Sequence, residues 1–507
     1  MSEPVGVPPR SVAHLFIVVA LGIALARLSA AERLYEPSMH TKRSEASATP
    51  GKWPATPPRP MPTFGSNDRS RWATVRAVVE QGTFVIGERS QPAPAAVALL
   101  AASNPLEAIA LNAVRLNDRG IVFEDGWQSI DKVLHPARGE FYSSKPPLLT
   151  VLMCVAYWPV YNLTGLTLNG EPFVVIRLLV GLINLLPLPF YLWLLYRLGE
   201  RYAASSWTAL FLLAAGGFGT LLNPFLISFS NHVPAVYGTL FLLAILLKID
   251  REGPSAGIGW YLAAGLLAGL NATNELPALA FTGLAGLVLI RASVVKTLAG
   301  YAPMALVPLV AMLALNVVVL GQVWPAYSET STVWYQYEGS HWLPQVPPKR
   351  GIDFASLQET KPTYAFHLLL GHHGFLSLTP VFLLGLVGLV FGLKPVAKTT
   401  EAEVARLPGW YAPMVLILSV ILIGFYIVVS NNYGGVSNGP RWLLWLAPLW
   451  LVAMIPIVDR LALSSRGRWF ALALLLLSIL SANYFDWSPW RHPWIYNAMD
   501  SAGKIPY

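Results

Sequence analysis

The sequence predicts an all-α polytopic membrane protein of about eleven transmembrane helices, with a long first loop that carries surface-lying helices. Three observations carry this. Of 507 residues, 54% are hydrophobic and only 12% charged, about half the charged share of soluble domains. The apolar stretches approach the roughly 20 residues that a bilayer crossing takes. Basic residues between those stretches collect on alternate loops, as in a chain oriented by its cytoplasmic charges.

Composition also excludes. The net charge of +8 lies largely in short loops, so it needs no nucleic-acid partner. The lone Cys154 rules out an intramolecular disulfide framework and an all-cysteine metal site. The 18 tryptophans suit belts at the two membrane interfaces.

Taken in order, the stretch 12–30 has Arg10 before it and Ser29, Ala30 and Ala31 at its end. That pattern imitates a signal peptide, but the apolar core is longer than the usual 7–15 or so residues. It reads as an uncleaved anchor. A polar insert follows over 31–145. Pro50, Pro54, Pro57, Pro58, Pro60 and Pro62 make its first part an extended linker. Val75, Val78 and Val79 have helical spacing within Trp72–Gln81, and Gly82 ends that helix. Thr83–Gly87 reads as a short strand or turn, and Ala95–Ala102 as a loop or helical turn.

Pro146 and Pro147 suit the first turn of a helix. The apolar stretch they open runs to about Leu163 and is interrupted by Pro159. It is either a span or a helix lying on the membrane surface. A span would put the loop Arg197–Arg201 outside, whereas a surface helix puts it and every later basic loop inside. The surface helix is therefore favoured. The expected spans are 12–30, 173–197, 205–223, 232–248, 257–271, 276–291, 300–320, 372–393, 409–429, 441–458 and 468–484. Arg197, Arg201, Lys248, Arg251, Arg291, Lys296, Lys394, Lys398, Arg406, Arg460, Arg466 and Arg468 then fall inside with Arg10. The insert falls outside with loops 224–231, 272–275, 321–371 and 430–440. So does the tail, where Trp487, Trp490, Trp494 and Tyr496 fit an interfacial anchor.

The residues that can carry chemistry share that outer face. Asp68 is flanked by Arg69 and Arg71, which favour its ionised form; it is either a general base or a cap on the helix at Trp72. Lys145 at a helix start suits a phosphate, or simply reaches for head groups. Asn231 and His232 form a polar mouth to one span, and His232 is of a type that ligates metals or donates a hydrogen bond. Glu275, beside Asn271 and Asn274, is a carboxylate at the membrane boundary, costly there without a partner. His372 and His373 open another span, where adjacent histidines point apart and so share no metal. In the turn 431–442, Tyr433 and the glycines precede Arg441, whose guanidinium suits a phosphate. No cofactor is named outright by these residues; a divalent metal ion is the one left open.

Two of these stretches carry a resemblance. A long outer first loop with Asp68-Arg69-Ser70-Arg71-Trp72, then Lys145-Pro146-Pro147-Leu148, then many spans, resembles the GT-C membrane glycosyltransferases. The branch it looks like is the protein O-mannosyltransferase and lipid A aminoarabinose transferase group. There an acidic motif supplies the catalytic carboxylate, and here Arg69 stands where the second acid would be. Lys-Pro-Pro lies near the lipid phosphate in that branch. Asn231-His232 stands where a further acid is often found, and Gly439-Pro440-Arg441 is similar to a Gly-Pro-Arg of related bacterial enzymes.

The resemblance implies a GT-C-like module over 1–300, including the outer loop 31–172, followed by C-terminal helices over 301–507. It implies a glycosyltransferase of the plasma (inner) membrane with its site facing the periplasm or exterior. A polyprenyl-phosphate-linked hexose or pentose would pass, with inversion, to a lipid, glycan or protein acceptor. Asp68, with Glu275 as second choice, would be the base; Lys145, Arg71 and Arg441 would hold the donor phosphate. Asn231, His232, Asn274, His372 and Tyr433 would line the substrate site. A transporter or flippase of a lipid-linked anion is the competing reading, and a non-catalytic membrane scaffold a third.

Overall fold

Helix follows apolar sequence through most of this chain, because a backbone in lipid must satisfy its own hydrogen bonds. The computed structural model describes residues 10–32, 59–90, 117–326, 328, 331–343, 350–393, 406–430, 432–484 and 488–507. The linker prolines 50–58, Ala95–Ala102, Lys394, Lys398, Asn431 and Trp487 lie outside the described residues.

In chain order, α1 (Arg10–Ala30) is followed by α2 (Ser66–Gln81) and the short strands β1 (Gly87–Ser90), β2 (Asn117–Arg119), β3 (Lys132–Leu134) and β4 (Glu140–Ser143). Next come α3 (Pro147–Thr164), α4 (Pro172–Tyr202), α5 (Ser206–Phe218), α6 (His232–Ser255), α7 (Ile258–Asn274) and α8 (Leu276–Ala292). The remainder is α9 (Val294–Leu320), α10 (Lys361–Leu369), α11 (Phe382–Gly392), α12 (Tyr411–Val429), the bent pair α13 (Arg441–Ala453 with Ile455–Ala462), α14 (Ser465–Ala482) and α15 (Trp494–Ser501).

The chain is an integral, multi-pass membrane protein. Among the described residues, seven helices are long and apolar enough to cross a membrane, or eight if the bent pair is one span. Each of the eleven expected stretches coincides with a helix, but not all reach that length. Those at 205–223, 276–291 and 372–393 fall on the shorter apolar helices α5, α8 and α11, and that at 257–271 on the 17-residue α7. The seventh long helix is α3, the one assigned to the membrane surface. It buries Leu149, Thr150, Met153, Cys154 and Tyr157. That single face at helical spacing packs on the polar α2.

Two compact units make up the chain. The loop unit is 32–179 with 312–344; the helical unit is 1–31, 180–311 and 345–507. Within the loop unit lies a feature absent from the all-helical expectation. Four short antiparallel strands pair in the order β2-β1-β4-β3, with Glu88 opposite Arg119, Gly87 opposite Phe141 and Val133 opposite Tyr142. Strands of three or four residues show too little alternation to be read from sequence. Phe141 and Trp127 are fully buried in this unit. Arg89 bridges Asp118 through two 2.8 Å contacts and lies over the rings of Phe141 and Tyr337.

In the helical unit, small residues let helices approach closely, as is common in membranes. A side chain at Gly385 or Gly388 of α11 would meet the backbone of Trp450 or Ala453 in α13. The 45° bend of α13 falls just before Pro456, whose ring lacks the N–H that would continue the ladder.

Candidate functional site

Local sequence sets the first cluster, in the loop unit. α2 begins at Ser66, six residues before the expected start, so Asp68 sits inside its first turn rather than ahead of it. The cap is Gly65, which has no side chain, and the Asp68 carboxylate reaches back to it. One carboxylate oxygen accepts the N–H of Gly65 at 3.0 Å and of Arg69 at 2.9 Å; the other accepts that of Phe64 at 3.2 Å. A capping signal sought as Ser or Thr misses a start of this kind. Asp68 is 1% exposed. Burial pushes its carboxyl up to about 6, against the opposing pull of Arg69 and the three amides.

Gly82 ends α2 in the left-handed conformation, φ 70°, as the sequence suggests. Arg71 is buried along α2 and donates to the backbone and side-chain oxygens of Asn67.

The two motif stretches meet within this unit. Ser70 donates to the carbonyl of Asp131 at 2.5 Å and lies 2.7 Å from the hydroxyl of Ser143, two residues before Lys145. The Lys145 ammonium reaches the Asp131 carboxylate at 2.8 Å. Pro146 caps α3 and Pro147 is its first residue. Lys145 also lines a cavity of about 30 Å3 with Thr74, Tyr142, Ser143 and Asn316, room for about one water. Asp131 was not singled out from sequence. It lies in a loop and belongs to no motif; only the pairing of β3 with β4 brings it to Lys145.

Tertiary packing sets the second cluster, in the helical unit. Asn231 donates to the carbonyl of Asn274 at 2.8 Å and to Glu275 Oε1 at 2.7 Å. His232, at the start of α6, meets the same Oε1 through Nδ1 at 2.5 Å. Its Nε2 lies 3.0 Å from Nη1 of Arg441. A carboxylate only accepts and a guanidinium only donates, so His232 is a neutral imidazole with its proton on Nδ1. Arg441 also donates from Nε to the Gly434 carbonyl at 2.8 Å and lies over the Trp490 ring. His232 is 1% and Glu275 5% exposed. Five residues picked separately from sequence thus form one network: Asn231, His232, Asn274, Glu275 and Arg441. Glu275 has the partners its position demands.

The third cluster corrects an expectation. His372 and His373 do not open a span. They sit in a turn between α10 and α11, with their Nδ1 atoms 2.6 Å apart. Outside a helix, neighbouring side chains need not diverge. The His372 ring stacks on His367 of α10 at 4.0 Å. Glu359 faces both, 4.0 Å from each Nε2, and its other oxygen accepts the Tyr433 hydroxyl at 2.5 Å. Burial alone would push the Glu359 carboxyl up, but the facing His372 imidazole, the Tyr433 hydroxyl and the nearby His367 leave it lowered. Burial, with His372 beside it, pushes His367 down to about 4. Glu359, His367 and His372 present ligand atoms within 4.8 Å of one another and could hold a metal ion. Glu359 and His367 escaped the sequence reading, although His367 and His372 have four residues between them, an H-x4-H spacing of the kind zinc ligands use; Glu359 belongs to no such spacing.

No family model matches the sequence, and no curated protein matches it. Solved structures do. The chain is similar to ArnT from Cupriavidus metallidurans in the apo state, with TM-score 0.46 and 17% identity over 91% of this chain and 61% of that one. It is similar to the oligosaccharyltransferase AglB from Archaeoglobus fulgidus in complex with an inhibitory peptide and a dolichol-phosphate, with TM-score 0.44 and 12% identity over 98% of this chain and 60% of that one. An Archaeoglobus fulgidus oligosaccharyltransferase in complex with Zn and sulfate gives TM-score 0.45 and 13% identity, over 97% and 57%. The chain spans about three fifths of the length of these structures.

Proposed function

We propose that this protein is a membrane glycosyltransferase that moves a sugar from a polyprenyl-phosphate donor to an acceptor hydroxyl on the outer face of the membrane. The observation that carries the reading is the joining of the Asp68–Trp72 and Lys145-Pro146-Pro147 stretches through Asp131. Held in one unit, a carboxylate and a cation from two distant segments are available to a single reaction.

Asp68 would be the base. Two carboxylate oxygens offer about four lone-pair sites, and backbone amides take three, which leaves one for an acceptor hydroxyl. A carboxyl near 6 is ionised at neutral pH yet basic enough to take a proton. The acceptor oxygen would attack the anomeric carbon as the bond from that carbon to the phosphate oxygen breaks. The proton passes to Asp68, the sugar is inverted, and the lipid phosphate leaves. Lys145, with Arg71 of the same unit, would stabilise the charge developing on that phosphate. Glu275 would orient His232 towards Arg441, and it is the second candidate base.

The competing transporter reading would use the same basic residues to bind a lipid-linked anion, with no catalytic acid. Paired broken helices mark transporter halves, but among the described residues only one bent pair occurs.

The deciding experiment is Asp68→Asn in a transfer assay with a polyprenyl-phosphate sugar. Loss of a general base typically costs about 10²–10⁴ in rate. A variant that folds and transfers at the parent rate removes Asp68 as base and shifts the role to Glu275.

A further inference from the structure

We propose that Glu359, His367 and His372 form a binding site for a zinc-class divalent transition-metal ion. The ion would tie the segment before α10 to the turn before α11. The inference concerns binding and does not depend on the transferase reading.

Donor chemistry argues for it first. Two imidazoles and one carboxylate are a ligand set that suits zinc and its neighbours. Magnesium and calcium prefer an all-oxygen shell. The Glu359, His367 and His372 side chains are 3%, 10% and 0% exposed. A carboxylate buried this far is expensive unless each oxygen has a partner.

Only one oxygen is satisfied. Oε2 of Glu359 accepts from Tyr433, whereas Oε1 makes no hydrogen bond among the described residues. It stands 4.0 Å from Nε2 of both histidines, too far for a hydrogen bond. Two atoms on one ion with bonds of about 2.0–2.2 Å lie up to about 4 Å apart. The carboxylate oxygen and the two nitrogens thus surround a point at bonding range, with only a small closure required.

Outer contacts fit as well. A metal-bound histidine usually has its second nitrogen held by a partner, and Nδ1 of His372 meets Nδ1 of His373 at 2.6 Å. Tyr507 places its hydroxyl 3.1 Å from Nε2 of His372, within reach of a fourth position. Tyr433, which fixes Oε2, stacks on Tyr364 at 4.6 Å. It also precedes Gly434, whose carbonyl receives Arg441. An ion here would stiffen the turn that sets Arg441.

The test uses the full chain, purified in detergent without a polyhistidine tag and stripped with a chelator. Zinc or cobalt is added back while bound metal, the visible spectrum of the cobalt form and thermal unfolding are followed. One ion per chain is expected, with visible cobalt bands and a higher Tm that millimolar magnesium does not reproduce. Glu359→Gln and His372→Ala should each weaken binding by at least about 100-fold, beyond what loss of an outer partner does. If the stripped parent takes up no zinc and its Tm is unmoved, the site is ordinary polar packing and the proposal fails. It fails equally if metal binds but both variants bind as the parent does. The parent measurement decides the matter even where a variant does not fold.

Discussion

The two clusters around Asp68 and around Glu275 solve the same problem, a buried carboxylate, in opposite ways. Asp68 is held by backbone amides within four residues of itself. Glu275 is held by the side chains of Asn231 and His232, more than forty positions away, and His232 is in turn held by Arg441, 209 positions further on. A backbone cradle is rebuilt whenever the helix folds, and its charge stays with the carboxylate. A side-chain network exists only in the finished fold, and its state depends on every member.

The largest expected contrast is catalytic. Asp68→Asn should lower transfer by about 10²–10⁴, and Glu275→Gln by much less, if the first is the base and the second a support for His232. Equal losses in the two variants would erase the distinction. The experiment needs a stability control. Asn supplies one oxygen and an amino group where Asp68 supplies two acceptors, so the Phe64 N–H would face a donor.

A second contrast is in pH. Asp68 is raised from 3.8 to about 6, so its protonated form suits the fold better than its ionised form. Its contribution to stability is complete below about pH 4 and lost as pH rises through 6, a swing of about 3 kcal/mol. Other carboxylates add their own dependence, so the quantity to measure is the stability of the parent less that of Asp68→Asn across pH 4–7. A flat difference would mean that burial does not perturb this carboxyl. The transfer rate should run the other way, rising as pH passes about 6.

Lys145→Ala comes third. Loss of a charge-assisted contact costs about 1.5–3 kcal/mol, to be read as weaker binding of a polyprenyl phosphate. Equal binding by parent and variant would reduce Lys145 to the partner of Asp131. The smallest effect is expected from Glu275→Gln on stability, about 1–3 kcal/mol in thermal unfolding. Gln keeps an acceptor for His232 and loses the charge. A loss as large as that of Glu275→Ala would show that the charge, not the hydrogen bond, holds the network.

Much of this molecule follows from its sequence alone. The apolar stretches specify helices because lipid leaves a backbone no other partner, and every expected stretch has one. Gly82 ends α2 and Pro147 begins α3 for reasons confined to one residue: an unstrained positive φ and a nitrogen without hydrogen. The residue types at Asp68, Lys145, Glu275 and Arg441 drew notice because charge near a membrane is costly.

Other features were settled only by folding. Strands of three or four residues have too short a period to detect, yet their pairing brings Asp131 to Lys145. The start of α2 moved to Ser66 because the side chain of Asp68 caps a glycine. His372 left the helix predicted for it, and so met His367 and Glu359. A contact between residues far apart in the chain leaves no mark on local spacing. Composition and periodicity therefore determined where the helices lie and which residues were worth watching, while packing decided which of them touch.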